Sequence, residues 1–187
     1  MKKILLIIFL SSFCFAGKSQ PVKTHGQLKV KGTQLVDEHG NPVALHGMSF
    51  GWHNLWPRFY NKGAVHTLVT DWNSTVVRAS MGIELNDSGY LKSPARSVEL
   101  MTNVIDACIK ENVYVIIDWH DHNIHLKEAK EFFAVMSKKY AGNPHIIYEV
   151  FNEPDYETWA EVKAYSEEVI KVIRANDPVN IILVGSP

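Results

Sequence analysis

Apolar positions along the chain fall into two kinds of run that alternate. Residues 75–81 (TVVRASM), 113–119 (VYVIIDW), 145–151 (HIIYEVF) and 180–185 (NIILVG) are short, nearly unbroken blocks. Their β-branched and aromatic content suits strands buried on both faces. Between them lie longer stretches whose apolar residues recur at helical spacing. The spacing predicts helices over 63–72, 94–111, 127–140 and 157–175. The second would bury Val98, Met101, Val104, Ile105, Cys108 and Ile109, and the third Phe132, Phe133 and Met136. The fourth would turn Trp159, Val162, Val169, Ile170 and Ile173 inward. Residues 43–50 read as the first strand of the series. Ahead of it, 28–43 reads as a short hairpin with His39-Gly40-Asn41-Pro42 as its turn.

Strand then helix, repeated with strands too apolar to have a wet face, predicts a parallel α/β sheet. Two architectures fit: a five-stranded doubly wound sheet, or a (β/α)8 barrel cut after its fifth strand. The ending favours the second. Ile181-Ile182-Leu183-Val184 is as apolar as a central strand, yet only Gly185-Ser186-Pro187 follows it. An open apolar edge of that kind is an aggregation hazard. The expected fold is thus α/β, of TIM-barrel type, truncated after the fifth strand and preceded by a β-hairpin.

At 187 residues the length fits one domain. A net charge of −1 leaves no basic footprint for nucleic acid. The five Trp suit a carbohydrate-binding surface as well as a core. The first residues have another purpose. Met1-Lys2-Lys3 is a positive start, residues 4–10 are apolar, and residues 11–17 turn small, with Ala16 at a cleavage position. That pattern predicts a secretory signal over 1–17 rather than an anchor, its apolar run being too short for a membrane span. A polar linker over 18–27 and an incomplete catalytic domain over 28–187 are expected to follow. The mature chain would be secreted, with no membrane partner. Removing the signal removes Cys14, and Cys108 alone cannot form an internal disulfide.

Polar residues gather where each expected strand ends. The first ends in Ser49-Phe50-Gly51-Trp52-His53-Asn54, the second carries Arg78, and the third ends Asp118-Trp119-His120-Asp121-His122. The fourth ends Asn152-Glu153-Pro154, where Pro154 has no N–H for a sheet ladder and forces Glu153 into extended backbone. Carboxyl ends of parallel strands are where such folds handle ligands.

These motifs together resemble glycoside hydrolase family five, the secreted β-1,4-endoglucanases. The resemblance rests on Asn-Glu-Pro after one apolar strand, Asp-Trp-His after the previous one, and Arg78 in VVRASM. NPVALHGMSFGW and IILVGSP extend it across residues 28–187. It implies a (β/α)8 barrel that hydrolyses β-glycosidic bonds with retention, with a β-glucan as partner and no cofactor or metal. It implies Glu153 as the proton donor and acid/base, and Asn152 as the residue holding the sugar 2-OH. Arg78 and His120 would shape the hydrogen bonding around the carboxylates, and His122 would line the same cleft. Trp52 and Trp56 are candidates for a sugar platform. Mannan, xylan and mixed-linkage glucan stay open as substrates.

The chemistry of the residues agrees. A glycosidic oxygen leaves poorly until protonated, so a carboxyl group that still carries its proton must sit beside it. A retaining enzyme needs a second carboxylate about 5–5.5 Å away. Arg supplies permanent charge that keeps a nearby carboxylate ionised. The chain departs from the family here. The nucleophilic Glu belongs to the seventh strand, and the His-Tyr pair and a Trp to the sixth and eighth. None is in this sequence, and Glu84, Asp87, Asp121 and Asp155 have no setting that recommends them. The chain is expected to be the amino-terminal portion of a cellulase and close to inactive alone, a non-catalytic remnant being the rival.

Other readings compete at single residues. His120, His122 and His125 form an HxHxxH cluster that suggests a metal, but no further ligand set accompanies it. His125 is expected at the surface. Glu149 shares parity with Glu153 and could pair with Arg78; Asp118 could orient His120. Trp72, Trp119 and Trp159 are expected in the core.

Overall fold

The helix over Pro94–Glu111 shows how local chemistry sets the elements. Pro94 opens it at a position whose N–H would go unused, and Ser97, Leu100, Met101, Val104, Ile105 and Cys108 form its buried stripe. Asn112, at φ 63°, then turns left-handed and ends it, its N–H returning to the carbonyls of Cys108 and Ile109.

The structure, a computed structural model, describes residues 20–187. The expected signal over 1–17 lies outside the described residues. In chain order the elements are α1 (Pro21–His25), β1 (Lys29–Lys31), β2 (Gln34–Val36), β3 (Gly47–Ser49), α2 (Lys62–Thr70), β4 (Val76–Gly82) and α3 (Pro94–Glu111). They continue with β5 (Tyr114–His120), α4 (Leu126–Lys139), β6 (Ile146–Glu149), α5 (Trp159–Asn176) and β7 (Ile181–Leu183). A 3-10 turn, Pro57–Phe59, precedes α2.

Strands β3 to β7 form one parallel sheet in the order β3-β4-β5-β6-β7. A doubly wound sheet reverses strand order at a switch point; this one never does. Side-chain parity divides its faces. Val77, Ala79, Met81, Val115, Ile117, Trp119, Ile146, Tyr148 and Val150 pack in one core with the inner stripes of α2 to α5. The other face meets α1 and the hairpin: Tyr114 and Ile147, flanked by Val76, Ile116 and Ile181, pack with Val22, Leu28, Leu35, Val43 and Leu45. Sequential strands with the four connecting helices, α2 to α5, on one face are the winding of a (β/α)8 barrel. The described sheet is an arc of such a barrel, its inner face plugged at the amino ends of the strands.

Several expectations change. The β1–β2 hairpin turns at Gly32 (φ 63°) and Thr33, not at residues 39–42. The latter form a second turn, pinned where Asp37 Oδ1 accepts the N–H groups of His39 and Asn41. The first strand shrinks to Gly47–Ser49, because the Val43 N–H is drawn back to the Leu35 carbonyl. Within 18–27, the expected linker, Pro21–His25 is helical and Val22 is buried. Trp119 is buried, but Trp72 is 64% and Trp159 55% exposed. Trp72 lies past the last turn of α2, and Trp159 stands one turn before Val162 begins the packed stripe of α5.

Candidate active site

The inner face changes character along the strands. Toward the carboxyl ends the same parity presents Arg78, Ser80, Asp118, His120 and Glu149. The register sets Ser49 beside Arg78, Ser80 beside Asp118, Gly82 beside His120, and Asp118 beside Glu149.

Arg78 is the centre of this patch. Its Nε and Nη2 donate to Glu149 Oε2 and Oε1 at 2.7 and 2.8 Å, a two-pronged pair. Nη2 also lies 3.0 Å from Asp118 Oδ2 and 2.7 Å from Asn152 Oδ1, while Nη1 reaches the hydroxyls of Ser49 and Ser80 at 3.2 Å. Burial works against the guanidinium charge, yet the Glu149 bonds and the Asp118 charge outweigh it, so its pKa is raised. Asp118 is fully buried. Burial, with the Glu149 charge, lifts its carboxyl above the usual range, against the opposing His120 bond and Arg78 charge.

His120 is oriented by this network, as its parity with Asp118 suggested. Its Nδ1 lies 2.7 Å from Asp118 Oδ2, a contact that an ionised carboxylate makes with the Nδ1–H form of the ring. Asn152 spends Oδ1 on Arg78, and its buried Nδ2 has no partner among the described residues.

Above the patch stands a rim of rings. Trp52 meets His120 edge-on at 4.9 Å between centroids and lies 5.7 Å from His122. His122 Nδ1 is 3.7 Å from Glu153 Oε2, outside hydrogen-bond range. The Glu153 carboxylate is 73% exposed, while its backbone N–H is held 3.3 Å from the Asp121 carbonyl. Strand β6 ends at Glu149, earlier than the apolar run predicts; Val150 still donates to the Leu183 carbonyl, and the chain then leaves the sheet toward Pro154. Trp52, Arg78, His120, His122, Asn152 and Glu153 are thus joined in one continuous series of contacts. Trp56 stands apart, its ring under the Arg58 guanidinium.

The loop after β5 holds what sequence reasoning missed. His125, expected at the surface, is only 21% exposed and bridges two carboxylates, with Nδ1 2.7 Å from Asp121 and Nε2 3.2 Å from Glu84. A surface assignment fails because the partner that buries it, Asp121, is itself drawn in by Trp119 Nε1 at 3.2 Å. The signal was the Asp-His-Asn step after an apolar strand, a side-chain-to-backbone turn. His53 is the second omission. Fully buried, it accepts the Gly82 N–H at Nδ1 (3.0 Å) and meets the Ser97 hydroxyl at Nε2 (2.8 Å). No group of three or more His, Cys, Asp or Glu among the described residues is placed to hold a metal ion. Cys108 is buried, and burial pushes its thiol up, away from reactivity. No helix among the described residues is long and apolar enough to cross a membrane.

The chain resembles known proteins over nearly all its described length. It is 39% identical over 175 residues to endoglucanase E-5 of Thermobifida fusca, covering 91% of this chain and 37% of the relative. The crystal structure of the catalytic domain of Thermobifida fusca endoglucanase Cel5A superposes with a TM-score of 0.84 at 38% identity. That match covers 90% of this chain and 56% of the other. A structure from Cytophaga hutchinsonii gives 0.86 at 43% identity, covering 88% and 55%. The chain spans less than half the length of the curated relatives it matches. The profile described as Cellulase (glycosyl hydrolase family 5) matches residues 36–187. With its sequential parallel strands and the Arg78–Glu153 rim at their carboxyl ends, the chain belongs to glycosyl hydrolase family 5, the cellulase family.

Proposed function

We propose that this chain supplies the acid/base half of a retaining endo-β-1,4-glucanase, with Glu153 as proton donor. The observation that carries the proposal is the Glu153 carboxylate, exposed and 3.7 Å from His122, on a rim shared with Trp52 and His120. Glu153 would protonate the glycosidic oxygen as the bond breaks, then take a proton from the water that releases the sugar. Asn152 Nδ2, buried and without a partner among the described residues, is the donor for the sugar 2-OH, a bond that strengthens in the transition state. Arg78 fixes Asn152 through Oδ1, and Trp52 offers a face on which a pyranose ring can stack. The substrate proposed is cellulose or a related glucan, since a variant of the Thermobifida fusca catalytic domain binds cellotetraose.

The attacking carboxylate is proposed to lie outside these 187 residues. Asp118 and Glu149 are tied to Arg78, and Asp121 and Glu84 to His125. Retention needs a free carboxylate facing the acid at about 5–5.5 Å. Secretion through the signal over 1–17 completes the proposal.

The test joins this chain to the remaining portion of the Thermobifida fusca catalytic domain and measures carboxymethylcellulose hydrolysis beside the 187-residue chain. Turnover by the chimera, lost in Glu153→Gln and absent from the chain alone, is the expected result. A chimera that folds and does not turn over would leave the non-catalytic remnant as the better reading.

A further inference from the structure

The Glu153 backbone is held from the side by a loop to which the chemistry proposed above assigns no proton transfer. That loop, between β5 and α4, is built on one carboxylate. Asp121 is only 2% exposed, and four donors converge on it. Oδ1 accepts the N–H groups of His122 at 2.9 Å and Asn123 at 3.2 Å; Oδ2 accepts Trp119 Nε1 at 3.2 Å and His125 Nδ1 at 2.7 Å. His125 in turn presents Nε2 to Glu84, whose other oxygen accepts from Asn123 Nδ2 at 3.1 Å. The loop is therefore closed on itself around a buried charge, which persists in low dielectric only when bonded this fully.

Two features leave the loop toward Glu153. The Asp121 carbonyl accepts the Glu153 N–H at 3.3 Å, and the His122 ring faces the Glu153 carboxylate at 3.7 Å. Both depend on the same residue, since the Asp121 side chain sets the turn that aims the carbonyl and the ring. A buried Asp serving only to fill space would be replaced at no loss by an apolar side chain; this one satisfies four donors that would otherwise go unpaired.

We infer that Asp121 is a positioning residue for Glu153, locking the loop over residues 121–125 so that it fixes the backbone of the acid and the imidazole beside it. The inference deepens the acid/base reading of Glu153 and rests on it for its catalytic consequence, though not for its geometry. Asp121 itself is too buried to touch a glucan.

Amide hydrogen exchange on the 187-residue chain tests the geometry without need of activity. In the unaltered chain the amides of His122, Asn123 and Glu153 should open together, with one common protection factor. In Asp121→Ala all three should exchange about tenfold faster or more, while Val115 and Ile117 in β5 stay protected. Asp121→Asn, which keeps one acceptor oxygen, should fall between. A Glu153 amide that exchanges freely in the unaltered chain, or that ignores Asp121→Ala while His122 and Asn123 respond, overturns the inference. The unaltered-chain measurement decides the matter even where a variant fails to fold. In the chimera, Asp121→Ala should lower kcat with KM little changed, and Asp121→Asn should recover part of it; a change in KM alone contradicts positioning. An inactive parent chimera would sink the catalytic reading of Glu153, with the exchange data still deciding the role of Asp121.

Discussion

Arg78 and Glu149 meet through two parallel bonds, Nε to Oε2 at 2.7 Å and Nη2 to Oε1 at 2.8 Å, and the same guanidinium touches Asp118 at 3.0 Å. One cation thereby holds two carboxylates that lie beside each other in register. Without it, both charges would face each other away from water. Arg78→Ala is expected to cost about 3–5 kcal/mol, the range for stripping one partner from a buried pair. Arg78→Lys should recover little, because an ammonium cannot form the fork. Urea unfolding midpoints check both, and a loss below about 1 kcal/mol for Arg78→Ala would contradict the network.

His53 gives the acid side of the stability profile. Burial pushes its pKa down from 6.5 to about 4, so the folded chain refuses a proton that the unfolded chain accepts. Stability is therefore expected to fall as pH drops from about 6.5 to about 4, by roughly 3 kcal/mol in total. His53→Gln should be less stable at pH 7, for lost bonds to Gly82 and Ser97, yet flatter across that window. Equal slopes in the two proteins would rule His53 out as the source.

His125 acts in the opposite direction. Burial disfavours its charge, but the Asp121 bond and the Asp121 and Glu84 charges outweigh burial and raise its pKa above 6.5. Burial likewise raises Asp121 above 3.8. In both cases the folded state holds protons longer, so the contribution is lost as pH rises through the folded values. The loop over 121–125 should loosen on the alkaline side, read as faster exchange of the Asn123 amide from pH 6.5 upward than intrinsic chemistry explains. His125→Gln should remove that excess; an unchanged excess would contradict the assignment.

Trp52, half-buried, packs against His120 and His122. In the chimera, Trp52→Ala should weaken cellotetraose binding about tenfold, the equivalent of about 1.4 kcal/mol, by isothermal titration. Unchanged affinity would make Trp52 a packing residue for the two imidazoles.

What could be read from the sequence follows the range of the forces involved. Helix α3 begins and ends where periodicity, Pro94 and the residue after Glu111 place it, since its boundaries are set by neighbours within one turn. Strand parity offered Glu149 as a partner for Arg78 and Asp118 as a support for His120, and both contacts form, because alternation within a strand survives an error in where it ends. Trp72 and Trp159 show the limit: a large apolar residue at the margin of a helix reads as core unless the neighbouring element is known to stop short. His53 was invisible, since its partners Gly82 and Ser97 come from other elements, and so was the reach of Glu84 to His125; only the turn around Asp121 was local enough to carry a signal. The shortening of β3 has the same origin, a backbone bond from Val43 to Leu35 in the hairpin.

The most direct measurement replaces Glu153 by Ala in the chimera and compares two substrates, with and without azide. Loss of a general acid should cost about 10²–10⁴-fold on carboxymethylcellulose and far less on a dinitrophenyl cellobioside, whose leaving group needs no proton. Azide should then restore the rate on the activated substrate and yield the β-glycosyl azide, with the small anion occupying the space the carboxylate vacates. Equal losses on both substrates, with no azide rescue, would contradict Glu153 as the proton donor.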